Sequence, residues 1–181
     1  MLGRRFSWFG TPGSVRFMVS DGSRGGLPPL SIVEDTAATM KYLEKEHARV
    51  ARKEATCFMI LSRPDNLPEG DAAQQIVAAV GKRYSYSLRP YDSLHRFGSD
   101  MFLIVLSHIK PEDTRNVMDR LRDEVSDKLL SMPDGNAVPA TASFGGVMID
   151  SDMSIEDNLD CAGRALHAAS QDGGDKVCVF M

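Results

Sequence analysis

The stretch "DSLHRFGSDMFLIVLS" constrains the fold more than any other part of this chain, because two runs of large apolar side chains flank a tight "GSD". Each run is too short for a stable helix and rich in the residues that pack on a pleated surface. Gly98 can supply the positive φ that an abrupt reversal needs, so the stretch predicts a β-hairpin with Gly98 in the turn.

The remaining elements arrange themselves around this hairpin. "SIVEDTAATMKYLEKEHARVARKEA" carries Ser31 and Glu34 in capping-box spacing, then Met40, Leu43, His47 and Val50 on one stripe, which predicts a leading helix over residues 31–56. "TCFMILS" reads as a buried strand, "RPDNLPEG" as a loop, and "DAAQQIVAAVGKRYS" as a helix with Ile76, Val77 and Val80 inward. "PEDTRNVMDRLRDEVSDKLL" opens on Pro111 and stripes Val117, Met118, Leu121 and Val125. "ATASFGGVMI" reads as a strand, "SIEDNLDCAGRALHAAS" as a helix with Ile155, Leu159, Ala162 and Leu166 inward, and "KVCVF" as a last strand. The order β-α-ββ-α-β-α-β after a leading helix predicts an α+β, ferredoxin-like palm: a central, mainly antiparallel sheet flanked by helices.

At 181 residues and 43% hydrophobic, the chain buries one ordinary core. Residues 1–30, rich in Gly, Pro, Ser and Arg, predict a flexible or partner-docking segment in which Phe6, Trp8 and Phe9 are the candidate contacts. The formal charge of −4 excludes a general phosphate-backbone binder, so no nucleic acid is expected. Three cysteines, Cys57, Cys161 and Cys178, lie among apolar residues without CxxC spacing, which points to buried, reduced thiols and a cytoplasmic location. No run reaches membrane-spanning length, and no membrane insertion is expected. The four histidines show no ligand spacing with one another or with the cysteines, so no metal cluster is expected.

"RPYDSLHRFGSDMFLIVL" resembles, position for position, the R-x-x-D-x-x-x-R-Y/F-G-G-D/E-E-F signature of GGDEF domains, bacterial diguanylate cyclases that join two GTP molecules into cyclic di-GMP. "TASFGGVMI" and "LDCAGRALHAASQDGGDKVCVF" are similar to two further family segments, and the resemblance covers residues 57–181. It implies the cyclase-type palm as the fold.

The departures are specific. The degenerate signature is Gly98, Ser99, Asp100, Met101 and Phe102, so one of the two acids that hold metal in the family is a thioether here, and Mg²⁺ prefers hard oxygen ligands. The other metal carboxylate of the family falls on Leu61 or Ser62, and its phosphate-binding lysine on Ser170. The guanine and phosphate segment is shortened into "RPDNLPEGDAA", where Asp65 and Asp71 survive without a reason to expect them on a metal. These departures imply no catalytic residues, no metal, no resident cofactor and no diguanylate cyclase activity.

What the resemblance retains is the R-x-x-D pair, Arg89 and Asp92, which in the family binds cyclic di-GMP at an inhibitory site. Arg120 falls where some members supply a further arginine, often from a second protomer. A guanidinium offers a planar donor fork to guanine or phosphate, and a carboxylate accepts from guanine N1–H and its amino group. Other readings stay open: an Arg and Asp at this spacing also form plain local ion pairs. The functional expectation is an inactive GGDEF-like receptor for cyclic di-GMP that signals through a protein partner or a homodimer. The alternative is a nucleotide-independent interaction scaffold, and an enzyme with altered nucleotide chemistry is a third. Arg96 is expected to serve the hairpin, Asp100 to satisfy nearby backbone amides, and His167 to pack or hydrogen bond.

Overall fold

The computed structural model describes residues 30–180. The expectations for Phe6, Trp8 and Phe9 lie outside them. In chain order the elements are β1 (Ile32–Val33), α1 (Thr36–Ala51), β2 (Cys57–Pro64), α2 (Asp71–Ser87), β3 (Ser93–Phe97), β4 (Met101–Ser107), α3 (Pro111–Ser126), β5 (Leu130–Ser131), β6 (Ala137–Val138), β7 (Ala142–Met148), α4 (Ile155–Gln171) and β8 (Val177–Phe180).

Six strands form one sheet in the order β1-β3-β4-β2-β7-β8, and β5 pairs with β6 separately. The inner pairings, β3 with β4, β4 with β2 and β2 with β7, are antiparallel, while both edge strands pair parallel to their neighbours. Successive side chains of a strand point to opposite faces, and here both faces are covered. Phe58, Ile60, Phe102 and Ile104 pack with Val77, Val80 and Tyr84 of α2 and Met118, Leu121 and Val125 of α3. The intervening Cys57, Met59, Leu61, Leu103 and Val105 pack with Leu43 of α1 and with Ala162 and Leu166 of α4. The result is the expected palm, with helices in pairs on the two faces.

Gly145 sets how closely α4 approaches the sheet: a Cβ there would lie 2.0 Å from the Leu166 amide nitrogen and 2.4 Å from the Ala162 carbonyl. Helix and strand backbones therefore touch at this point.

The leading helix is shorter than its pattern suggests. The capping box Ser31–Glu34 does not form, because Ile32 and Val33 add as a short parallel strand beside Leu94 and His95 at the open edge of β3. The helix instead begins after Asp35, whose carboxylate accepts from the Ala37 amide at 2.9 Å, and ends at Ala51. Helix α3 also stops earlier than expected. The Arg83 guanidinium donates to the carbonyls of Glu124 (2.7 Å), Lys128 (2.6 Å) and Leu129 at its C-terminal end, where positive charge is favoured, and the chain then turns into the β5–β6 hairpin. Helix α4 opens as expected, with Ser154 Oγ accepting from the Asp157 amide at 3.0 Å.

The three cysteines are free; Cys57 is fully buried, whereas Cys161 and Cys178 are half-buried rather than enclosed. Beneath α1, Glu46 is 2% exposed and takes a two-pronged bond from Arg49 (3.0 Å to each oxygen), with Cys57 Sγ at 3.3 Å. Burial, reinforced by Glu46, pushes the Cys57 thiol up to about 12, which leaves it protonated and unreactive.

Candidate functional site

The five residues of β3 separate two sets of candidate residues by roughly 16 Å. At its C-terminal end is the Gly98–Asp100 turn, with Gly98 at φ +79° as the reversal requires. Arg96 anchors this turn through the carbonyls of Gly98 (3.3 Å) and Ser99 and through Gln74 Oε1 (3.0 Å), with its guanidinium 5.3 Å from the Phe102 ring centre. Arg96 thus serves the hairpin, as expected. Asp100 does not: its carboxylate takes no backbone amide and instead borders an open groove of about 370 Å³ with Arg63, Asp65, Ser170 and Gly174. Met101 and Phe102 turn into the core, 7% and 1% exposed.

The groove is lined by two carboxylates, Asp65 and Asp100, beside the Arg63 guanidinium and the Ser170 hydroxyl. Leu61 is buried against the α1/α4 side, and Ser62 Oγ is engaged with Tyr84 Oη at 2.8 Å. Asp65 is already engaged. It accepts from Thr141 Oγ1 (2.9 Å), Ser143 Oγ (2.8 Å) and the Asp175 amide (2.8 Å), tying the end of β2 to β7 and to the loop before β8. Among the described residues, no group of three or more His, Cys, Asp or Glu side chains is placed to hold a metal ion. Ser170 Oγ, also at the groove, is buried without a partner. His167, expected to pack or hydrogen bond, is exposed on α4.

At the other end of β3, residues 89–92 form a closed reverse turn. The Asp92 amide donates to the Arg89 carbonyl at 3.0 Å, and the Arg89 amide donates back to Asp92 Oδ2 at 2.8 Å. Pro90 occupies the first corner of the turn, where its fixed φ is favourable. Asp92 is 9% exposed, and this burial raises its carboxyl above the usual range, opposed by the Arg89 amide bond and by the Arg89 and Arg120 charges. Arg89 faces solvent, its Nη1 donating to Tyr91 Oη at 3.2 Å. Arg120, on α3, donates to the Ser87 carbonyl at 3.2 Å, just before the turn. Arg89, Asp92 and Arg120 therefore meet at one corner.

The profile of the family described as "Diguanylate cyclase, GGDEF domain" matches residues 68–176. The chain belongs to the GGDEF family. Diguanylate cyclase DosC of Escherichia coli K12 is 25% identical over 107 residues, which is 59% of this chain but 23% of DosC, so the chain spans about a quarter of that relative's length. Among solved structures, diguanylate cyclase SiaD of Pseudomonas aeruginosa, in complex with its activator SiaC, is similar over 80% of this chain and 57% of the other at TM-score 0.73 and 22% identity. The GGDEF domain of DgcB from Caulobacter crescentus, in complex with c-di-GMP, is similar over 90% and 98% at TM-score 0.73 and 18% identity. At these identities the structural likeness speaks for the fold, and the GGDEF palm described above is that fold.

Three features of this GGDEF domain escaped sequence reasoning. Tyr91 contacts Arg89, Arg63 borders the groove, and Glu46 is buried under α1. For Tyr91 part of the signal was available, since "RPYD" places Pro at the first corner of a reverse turn and so Tyr91 at its second corner.

Proposed function

We propose that this GGDEF domain is a catalytically inactive receptor for cyclic di-GMP, which it binds at Arg89 and Asp92 with Arg120 beside them, and that it passes the signal to a protein partner. The observation that carries this reading is the contrast between the two ends of β3. The ligand turn is closed by two hydrogen bonds with its arginine facing solvent, whereas the groove offers Asp100 as its unsaturated acid. Phosphoryl transfer depends on metal ions to neutralise developing charge, and the donors for them are missing at the expected positions. The domain of DgcB was solved with c-di-GMP and SiaD with an activator protein, so both kinds of contact have precedent on this fold. Among the described residues, no helix is long and apolar enough to cross a membrane.

The test is calorimetric titration of the full chain with cyclic di-GMP, alongside Arg89→Ala, Asp92→Ala and Arg120→Ala, and a GTP turnover assay with Mg²⁺ and Mn²⁺. Binding that Arg89→Ala weakens by about tenfold or more, the scale of a lost charge-assisted contact, is the expected result. Product formation from GTP would overturn the inactive reading, and absence of binding by folded protein would overturn the receptor reading.

A second reading, a nucleotide-independent scaffold or homodimer, is favoured by one observation. One Asp92 oxygen is spent on the Arg89 amide and the Arg120 head on the Ser87 carbonyl, as expected if the motif only shapes a corner. Under it Arg89→Ala leaves partner capture unchanged.

A further inference from the structure

Tyr91 stands at the tip of the ligand turn, and neither the fold nor the R-x-x-D pair accounts for its placement. The turn's hydrogen bonds direct each side chain. With Asp92 folded back onto the Arg89 amide, the Arg89 and Tyr91 side chains are left on the outside of the turn. They meet there: Arg89 Nη1 donates to Tyr91 Oη at 3.2 Å, and the guanidinium carbon lies 6.0 Å from the ring centre. Tyr91 is 54% exposed, among the few large hydrophobic side chains the described residues leave open to water, and Tyr86 at the end of α2, three residues before Arg89, is 58% exposed.

An exposed aromatic ring beside a cation forms a recognisable surface. The ring offers a face on which a flat base stacks, and the cation offers in-plane donors to the base edge or to a phosphate. A free arginine also loses rotamer freedom when it binds, and a hydroxyl that already restrains its head removes part of that loss beforehand.

We propose that Tyr91 is a second binding group of this turn, its hydroxyl positioning the Arg89 guanidinium and its ring stacking against a guanine base of the cyclic dinucleotide. This rests on the receptor reading and adds a residue to it. Because any purine stacks on the ring, selectivity for guanine stays with Arg89 and Asp92, and Tyr91 contributes affinity and residence time.

The experiment measures cyclic di-GMP affinity and dissociation rate for wild type, Arg89→Ala, Tyr91→Ala, Tyr91→Phe and Tyr91→Trp in the full chain. Cyclic di-AMP serves as the control ligand. The Arg89 Nε–Hε resonance is followed by NMR in the ligand-free proteins. Tyr91→Ala should weaken binding by about tenfold, mainly through faster dissociation, in line with a lost base–aromatic stack. Tyr91→Phe should lose about threefold and Tyr91→Trp should restore the affinity. The Arg89 side-chain resonance should move in Tyr91→Phe and Tyr91→Ala before any ligand is added. Binding by Tyr91→Ala within about twofold of wild type, with Arg89→Ala defective, would overturn this inference and leave the receptor reading standing. Tyr91→Phe as weak as Tyr91→Ala would overturn the stacking role. No binding by wild type would overturn both readings at once.

Discussion

Asp65 is the surviving acid closest to where the family's first metal carboxylate falls, so replacing it separates a brace from a ligand. Its carboxylate takes three donors at 2.8–2.9 Å, from Thr141, Ser143 and the Asp175 amide. Each bond to a charged acceptor is worth about 1.5–3 kcal/mol, but three sharing one carboxylate do not add. Thr141 and Asp175 are half-buried and can turn to water, whereas Ser143 is 0% exposed and its hydroxyl would be stranded. A stranded buried hydroxyl costs about 1–3 kcal/mol. Together these put the loss for Asp65→Ala at about 3 kcal/mol, and for Asp65→Asn, which keeps one acceptor oxygen, at about half of that. In a domain of this size 3 kcal/mol lowers the Tm by about 6–12 °C. Urea unfolding followed by circular dichroism, with and without Mg²⁺, measures it. If Asp65→Ala loses less than about 1 kcal/mol, and Mg²⁺ stabilises wild type but not the variant, the carboxylate is a metal ligand and the reasoning fails.

His95 gives a pH dependence with a defined sign. Burial lowers it to about 4 in the folded protein, where it bonds Thr39 Oγ1 at 3.0 Å and Ser93 Oγ at 2.9 Å, against an unfolded value of about 6.5. Below pH 6.5 the unfolded chain binds the proton that the folded one refuses. Its contribution is therefore complete above about pH 6.5 and is lost as the pH falls toward 4, which amounts to about 2 kcal/mol by pH 5 and should be missing from the urea midpoints of His95→Asn. Gly145→Ala drives a methyl into the α4 backbone and should destabilise by about 3 kcal/mol, seen as a lower Tm with unchanged helix content before melting. Arg83→Ala removes the donors that end α3 and should lower stability by about 2 kcal/mol in the same unfolding assay.

What could be read from the sequence follows the distance over which each feature is determined. The hairpin and the helix stripes depend on neighbours a few residues away, and they form as their patterns imply. The turn at residues 89–92 is as local, with closing bonds that span three residues, although its pattern was read only as an Arg and an Asp three apart. Strand β1 was missed because Ile32 and Val33 have a local alternative, the first turn of a helix, and lose it to an open sheet edge more than sixty residues ahead. Helix α3 overran in the reading because Arg83, which ends it, lies some forty residues upstream on another helix. At the candidate site Asp65 could be named but not given a role, since its three donors sit 76, 78 and 110 residues further along. Asp100 illustrates the reverse error. A turn acid ordinarily caps nearby amides, but the Asp100 carboxylate faces the groove instead, while Arg96 holds the turn carbonyls from the strand side. A sequence motif thus locates both ends of β3, while the side chains that decide whether an acid there braces the fold, binds a ligand or stands free come from strands and loops that only the sheet brings together.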